Sequence, residues 1–536
     1  MTPEENTIEE RFHTTVQSFT AEMETFRGSA DLLGLSGSAT GRFIAPLLRR
    51  GEPALVFLAP ALNQARRLHR ELRFFASRPE AVYLFPNWEV APYDPLTPHR
   101  DLEATRLETL LAIRRGRAEA VITTPTAAMQ RVIPGSALDA LSTELILEEE
   151  YERDILRRRL YDLGYRDVPL VEDMGTFSLR GDILDLYIPT SSKPVRIDFY
   201  GDFIESMRYF DPETQRSSAE GPERLELVPA HEMVLAGDYL ELFSQRLKQR
   251  CDELELPRTT REAVLEEVRE GLLAPGRNFL LPLNYASLDT LLDYTNPHTV
   301  IRLDPPETDR AADDFSAQIT AGAQRVAAGS EPFVEPHQLY LSVQELEAAL
   351  TVPRRIDIRS LQVYELDAEH QVFKVNCRSN AAFTQAKAEE RLDILSEQLK
   401  VWQGESWRVE LVCHKEGQAQ RLADLLRPRG VDLIPGSQAG AHEKTAVLQI
   451  ADLARGFQLP DEQVAIITEE EIFGPRVRRR GKEGARAKAS LSSLAQLHEG
   501  DYVVHADHGI GIYCGLEQVH SEGFEGDFIQ LEYAGG

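Results

Sequence analysis

The chain has 536 residues, 42% hydrophobic and 27% charged, which is too long for one hydrophobic core and ordinary in composition for roughly four or five compact globular units. Its 59 basic against 87 acidic side chains leave a formal net charge of -28, excluding nucleic-acid binding by counterion release over the whole surface; such contact must be local or belong to a partner. Cys251, Cys377, Cys413 and Cys514 have no metal-ligand or redox spacing, the start MTPEENTIEERF has no apolar signal core, and no apolar run approaches the ~20 residues of a membrane span, so a cytoplasmic protein with no membrane partner is expected.

The first motif is "GLSGSATG", Gly34 to Gly41. Against the phosphate-loop pattern G-x-x-x-x-G-K-[ST], the second Gly is Ala39, the Lys is Thr40 and the Ser/Thr is Gly41. Thr40 brings no cation to phosphate, and Gly41 no hydroxyl to Mg²⁺. The degenerate loop Gly34, Gly37, Ala39, Thr40, Gly41 therefore reads as a plain turn between strand and helix, with no cofactor. "ALVFL" (Ala54 to Leu58), a helix from about Pro60 to Phe75, "VYLF" (Val82 to Phe85), a helix capped near Asp101 and "AVITT" (Ala120 to Thr124) follow. Alternating strands and helices predict a helicase-like parallel sheet of P-loop NTPase type. A second nucleotide element would be a strand ending in Asp-Glu. "TVIRLDPPE" has Asp304 but Pro305 where the Glu would stand, and "VAIITEEE" (Val464 to Glu471) reads as a strand running into a solvated helix.

From about Pro125 the pattern becomes rich in strands. A helix over about Tyr151 to Leu163 precedes them. Val195, Ile197 and Phe199 alternate with Arg196, Asp198 and Tyr200, which predicts a half-buried strand. The insert has no nucleophile–base pair and no metal cluster, so no catalytic residue is assigned. Arg166, Arg180 and Tyr187 have two open readings, as binding anchors or as surface groups paired with nearby carboxylates. From Arg354 a further α/β pattern begins, with a helix over about Thr384 to Trp402, "WRVELVC" (Trp407 to Cys413), a helix over Glu416 to Leu426 and "VAIIT". His414 beside Cys413 lacks a second metal-ligand pair. "GPRVRRRGKEGARAK" (Gly474 to Lys488) holds seven basic residues and one acid. It reads as a flexible linker, or as a weak, salt-dependent contact to DNA phosphate. The last stretch, "DYVVHADHGIGIYCGLEQVHSEGFEGDFIQLEYAGG", reads as short strands; His505 and His508 alone do not make a zinc site.

"GTFSLRGDILDLYIP…VRIDFYGDFIESMRYFDPETQRS" resembles the small inserted domain shared by UvrB and the bacterial transcription-repair coupling factors, the Mfd family. "LFPNWEVAPYDPLTPHRDLEATRLETL" (Leu84 to Leu110) and the degenerate loop resemble the coupling factors and not UvrB. "GDYVVHADHGIGIYCGLE…GDFIQLEYA" is similar to their RNA polymerase-interacting domain, shared with CarD-type regulators. The resemblance covers essentially the whole chain as the first part of such a factor. It implies UvrA binding through Arg166, Arg180 and Tyr187, and binding to the RNA polymerase β subunit by strand pairing along Phe528, Ile529, Gln530 and Leu531. It also implies that ATP, Mg²⁺ and most DNA binding belong to a translocase motor that would follow Gly536, so this part is expected not to be an enzyme. The two rival readings are an ATP-dependent, UvrB-type damage-verification protein and a CarD-like regulator that binds polymerase alone.

The expected architecture is multidomain α/β. The degenerate helicase-like sheet occupies 1–124 and 214–350, an inserted α+β UvrA-binding domain 125–213, a small α/β spacer 351–473, and a basic linker 474–494. A Tudor/SH3-like, CarD-like β-barrel at 495–536 is expected to be incomplete, its last strand lacking a partner, and poorly folded alone.

Overall fold

A computed structural model describes residues 14–94, 96, 98–269, 277–359, 371–381, 383, 390–436, 446–474, 502–505, 509–521 and 524–532. The chain divides into two units, Met1–Gly474 and Pro475–Gly536. The first unit opens with β1 (Gly28–Leu33), the Gly34–Gly41 turn and a short helix, Ala39–Ile44. Then come β2 (Leu55–Leu58), the helix Leu62–Phe75, β3 (Val82–Leu84), the helix Arg100–Arg114 and β4 (Ala120–Thr123). Strands β5 (Arg131–Val132) and β6 (Thr143–Ile146) lead to the helix Arg153–Asp162. Strands β7 (Arg166–Asp167), β8 (Thr176–Arg180), β9 (Ile183–Tyr187), β10 (Val195–Tyr200) and β11 (Phe203–Tyr209) form a five-stranded sheet in the order β11-β10-β9-β8-β7. β12 (Arg224–Leu227) pairs antiparallel with β6, and β13 (Asp289–Thr290) with β5. β14 (Thr299–Leu303), β15 (Arg354–Arg359) and β16 (Gln371–Lys374) complete a seven-stranded sheet, β16-β1-β15-β14-β2-β4-β3, parallel throughout.

The apolar runs explain this sheet. β2 and β4 are buried at every position, as central strands covered on both faces must be. Alternate residues feed two cores. Val56, Leu58, Val121 and Val300 join one, and Leu55, Phe57, Ala120, Ile122 and Ile301 the other. On the helix Leu62–Phe75, Ala65, Leu68 and Leu72 are buried, the predicted stripe. The helix expected to be capped near Asp101 instead takes His99 as its cap, whose ring nitrogen accepts from the Asp101 amide at 3.3 Å. Asp101 sits in the first turn, where a carboxylate complements the helix dipole.

Three expectations are corrected. The border at 350 fails, because β15 and β16 belong to the first sheet, with β15 between β1 and β14. Within it Asp357 is buried and bonded by Arg302 at 2.8 and 2.9 Å. The insert is closed by the β6–β12 stem, so its borders lie near 143 and 227, not at 125 and 213. Residues 125–142 lie outside this stem, and their β5 pairs with β13 rather than with any strand of the insert. The acids after "VAIIT" (Val464 to Thr468) are not solvated as expected: Glu469 and Glu471 are buried. Glu471 Oε2 accepts from the Thr468 amide at 2.9 Å, the Gly456 amide at 3.1 Å and Asn380 Nδ2 at 3.0 Å.

The remaining α/β sheet contains β17 (Arg408–Cys413), β18 (Ile434–Pro435), β19 (Ala446–Ile450), β20 (Phe457–Leu459) and β21 (Val464–Thr468), ordered β18-β19-β17-β21-β20. The helices Arg391–Gly404 and Glu416–Leu426 accompany it. Val412, Leu453, Phe457, Leu459 and Ile466 enter the same core as Phe57 and Ile122, while Val409, Leu411, Ala465 and Ile467 form a separate one. This sheet is thus docked on the first. In the second unit, β22 (Tyr502–His505), β23 (Gly509–Ser521) and β24 (Phe524–Glu532) form an antiparallel sheet ordered β22-β23-β24. Closure into the expected barrel is not among these pairings. No helix among the described residues is long and apolar enough to cross a membrane.

Candidate functional site

Three places carry the residues singled out by sequence, and the first is the Gly34–Gly41 turn. Gly34 and Gly37 have φ of 86° and 56°, in the left-handed region that favours glycine. A Cβ on Gly37 would collide with the Gly456 carbonyl, and one on Gly34 with the Val375 carbonyl. The Ser38 hydroxyl donates to the Arg455 carbonyl. Where a nucleotide loop faces phosphate, this turn faces main-chain oxygens of the docked sheet. Behind it Glu71 is buried, and burial pushes its carboxyl up to about 7 against the pull of Arg67, 3.3 Å away. Ala39 and Gly41 are buried and Thr40 is half-buried. Asp304, the candidate second nucleotide residue, caps the helix Pro305–Ala327 with φ 44°, and its amide donates to the Ile358 carbonyl at 2.8 Å.

The raised Glu71 value carries a sign. The folded chain holds a proton that the unfolded chain releases between about pH 4.5 and about pH 7. Stability is therefore expected to fall as pH rises through that window, by roughly 3 kcal/mol. Urea midpoints at pH 5, 6, 7 and 8 should show the slope, and Glu71→Gln should flatten it. Equal slopes in both proteins would refute the assignment.

The second place is the five-stranded insert. Phe177, Leu184, Leu186, Val195, Ile197 and Phe199 point into the core with Leu156 and Leu160 of the helix Arg153–Asp162. The opposite face is polar. Arg166 pairs across with Thr176, and Thr176 with Tyr187, so the three form one row on one face. Arg180 lies four residues beyond Thr176, on the same face, opposite Ile183. The register therefore places Arg166, Arg180 and Tyr187 on the polar face, around the buried Thr176, Ser178 and Asp185. They differ in surroundings. Arg180 Nη2 donates to the buried Asp185 at 2.9 Å, and Arg196 grips the same carboxylate at 2.6 and 3.0 Å. Arg166 is exposed. The Tyr187 hydroxyl donates to the Ser192 carbonyl at 3.3 Å, and burial with nearby Asp101 and Asp173 raises its pKa.

The third place is β24, which holds Phe528, Ile529, Gln530 and Leu531. Its backbone pairs with β23, placing Phe528 opposite Glu517, Ile529 opposite Leu516 and Leu531 opposite Tyr513. Its other side has no partner strand among the described residues. The basic stretch after Gly474 lies outside the described residues, as does His508. His414 contacts Asp452 at 3.2 Å and Glu470 at 3.7 Å. No group of three metal-ligating side chains occurs among the described residues. Sequence reasoning missed Asp185 and Arg196, whose pairing depends on strand register, and the Arg455–Gly456 segment, whose contact spans more than 400 residues.

Family models match the second and third of these places and the docked sheet. Residues 144–233 match the family described as UvrB interaction domain, 403–472 the MFD D3 domain, and 497–536 the CarD-like/TRCF RID domain. Similar whole sequences are transcription-repair-coupling factors. That of Myxococcus xanthus is 32% identical over 94% of this chain and 44% of its own length. That of Escherichia coli (strain K12) is 30% identical over 95% and 44%, and that of Bacillus subtilis (strain 168) 25% over 97% and 46%. The chain thus spans less than half the length of these relatives. The crystal structure of the Pyrococcus furiosus Hef helicase domain matches over 81% of this chain and 84% of that one, at 12% identity and a TM-score of 0.15, too low to argue from.

Proposed function

We propose that this chain, a relative of the transcription-repair-coupling factors along nearly its whole length, carries the recognition work of such a factor. The polar face of the insert receives UvrA, and the free side of β24 adds a strand to the RNA polymerase β subunit. Backbone hydrogen bonds supply the affinity of strand addition, and alternate side chains its selectivity. ATP-driven displacement of stalled polymerase from DNA belongs, on this reading, to a motor outside these residues. The helicase-like sheet serves as a platform and binds no nucleotide at Gly34–Gly41. The basic stretch after Gly474 acts as a tether.

The observation that carries the reading is the row Arg166–Thr176–Tyr187 with Arg180 on the polar sheet face, inside the span matching a UvrB interaction domain. Titration with purified UvrA and with core RNA polymerase tests it. Arg180→Ala should weaken UvrA binding about tenfold, or about 1.4 kcal/mol. The fold should survive, because Arg196 still neutralises Asp185. Unchanged UvrA affinity with an unchanged melting curve would remove Arg180 from the interface. The UvrB-type reading predicts saturable Mg-ATP binding by this chain instead.

A further inference from the structure

We propose that Arg100, in the first turn of the helix Arg100–Arg114, joins Arg166 in a two-arginine anchor for a carboxylate of the partner that docks on the insert. The inference rests on the docking reading above and extends the surface to a residue outside the insert.

The two side chains approach one loop from different elements. Arg166 lies on β7, the edge strand, and its amide donates to the Gly175 carbonyl at 3.0 Å. Arg100 comes from the first sheet's own helix, and its Nη1 lies 3.5 Å from the carbonyl of Met174, the residue before Gly175. Elsewhere on and around the insert, many guanidinium groups are neutralised within the chain, although Arg159 donates only to the Ala140 and Leu141 carbonyls. Arg180 and Arg196 hold Asp185, Arg208 holds Asp198, Arg153 holds Asp182 and Arg157 holds Asp167. Among the described residues, neither Arg100 nor Arg166 makes such an ion pair. What distinguishes Arg100 and Arg166 is that two such arginines, from different elements, reach the same Met174–Gly175 loop.

Their proximity has an electrostatic signature. Burial, and then the charge of Arg100, lower the pKa of Arg166, while Asp173 works the other way. The two like charges thus share the neighbourhood of the Met174–Gly175 loop, and a carboxylate placed between them relieves their repulsion. Guanidinium forks suit this, since each can give a carboxylate two parallel N–H bonds. A polyanion such as DNA fits less well, because the exposed Asp101 and Asp173 lie beside the pair and would repel an extended phosphate chain.

The test titrates UvrA against the whole chain and its Arg100→Ala, Arg100→Lys, Arg166→Ala and Arg180→Ala variants, with melting curves as a fold control. Arg100→Ala should weaken binding about tenfold, a typical loss for one charge-assisted hydrogen-bonded contact. Arg100→Lys should recover little of it, for want of the fork. The Arg100→Ala/Arg166→Ala double variant should lose less than the product of the singles, since both arginines serve one group. Wild-type affinity in Arg100→Ala, with losses in Arg166→Ala and Arg180→Ala, overturns the anchor and leaves the docking reading standing. Wild-type affinity in all of them overturns both. A loss of duplex DNA binding with UvrA binding intact would make the pair a phosphate site and also overturn the proposal.

Discussion

Glu232→Ala is expected to destabilise the first unit by roughly 3 to 5 kcal/mol, the usual result of stranding a buried charge. Its partner Arg106 is fully buried, and the two meet at 2.5 Å. Arg106 also donates to the Pro86 carbonyl at 2.9 Å and to Gln130 Oε1 at 3.0 Å, and it lies over the rings of Phe85 and Trp88. None of these neighbours carries a negative charge, so the guanidinium has nothing to replace the lost carboxylate. Glu232→Gln should cost less, because an amide oxygen can still accept from Arg106 Nε. Urea denaturation followed by tryptophan fluorescence reads the difference, and a midpoint for Glu232→Ala equal to wild type would sink the assignment. The pair also has a place in recognition. Glu232 lies on the segment leaving the insert, five residues past β12, and Arg106 lies on the helix that begins at Arg100. The same contact that stabilises the core thus fixes the insert against the helix that presents Arg100. Glu232→Gln should therefore weaken UvrA binding even at temperatures where the chain stays folded.

The regular elements were legible where burial follows a simple period. β2, β4 and β21 are unbroken apolar runs, and the helices Leu62–Phe75 and Glu416–Leu426 carry clean stripes, so their bounds fell close to expectation. The strand β15 was misplaced because its polar positions are satisfied inside the sheet. Arg302 reaches Asp357 from β14, and Arg359 reaches Asp31 on β1, pairings that no local pattern contains. The candidate docking face was half legible. Resemblance picked out Arg166, Arg180 and Tyr187, and the register placed them on one face. It could not tell that Arg180 is already engaged with a buried acid while Arg166 stands beside Arg100. That distinction depends on which carboxylates the fold brings near, and in a chain this acidic most arginines find one.

Rebuilding the nucleotide motif with Thr40→Lys and Gly41→Thr is expected to weaken the fold and to create no nucleotide site. Gly41 is buried, and a Cβ there would sit 3.0 Å from the Glu71 carbonyl group and from the ring of Phe75. The short helix Ala39–Ile44 is seated directly on the helix Leu62–Phe75 at this point, so a β-branched side chain has to push the two apart. Such overpacking costs about 1 to 3 kcal/mol. Gly37→Ala should cost more, roughly 3 to 5 kcal/mol, because it adds the left-handed backbone penalty of about 1 to 2 kcal/mol to the collision with the Gly456 carbonyl. Since that carbonyl belongs to the docked α/β sheet, the loss should appear as separation of the two sheets, read as faster proteolysis or amide exchange at β20 and in the residues 452–456 before it. The chemistry of the turn explains why a lysine would not rescue binding. A triphosphate needs donors and positive charge, and this turn meets the Arg455 and Gly456 carbonyls in front and the Glu71 carboxyl behind. Calorimetric titration of the double variant with Mg-ATP should therefore give no saturable heat. Stoichiometric binding there would mean that the docked sheet lifts off the turn easily, and the platform reading would have to be abandoned for a latent ATPase.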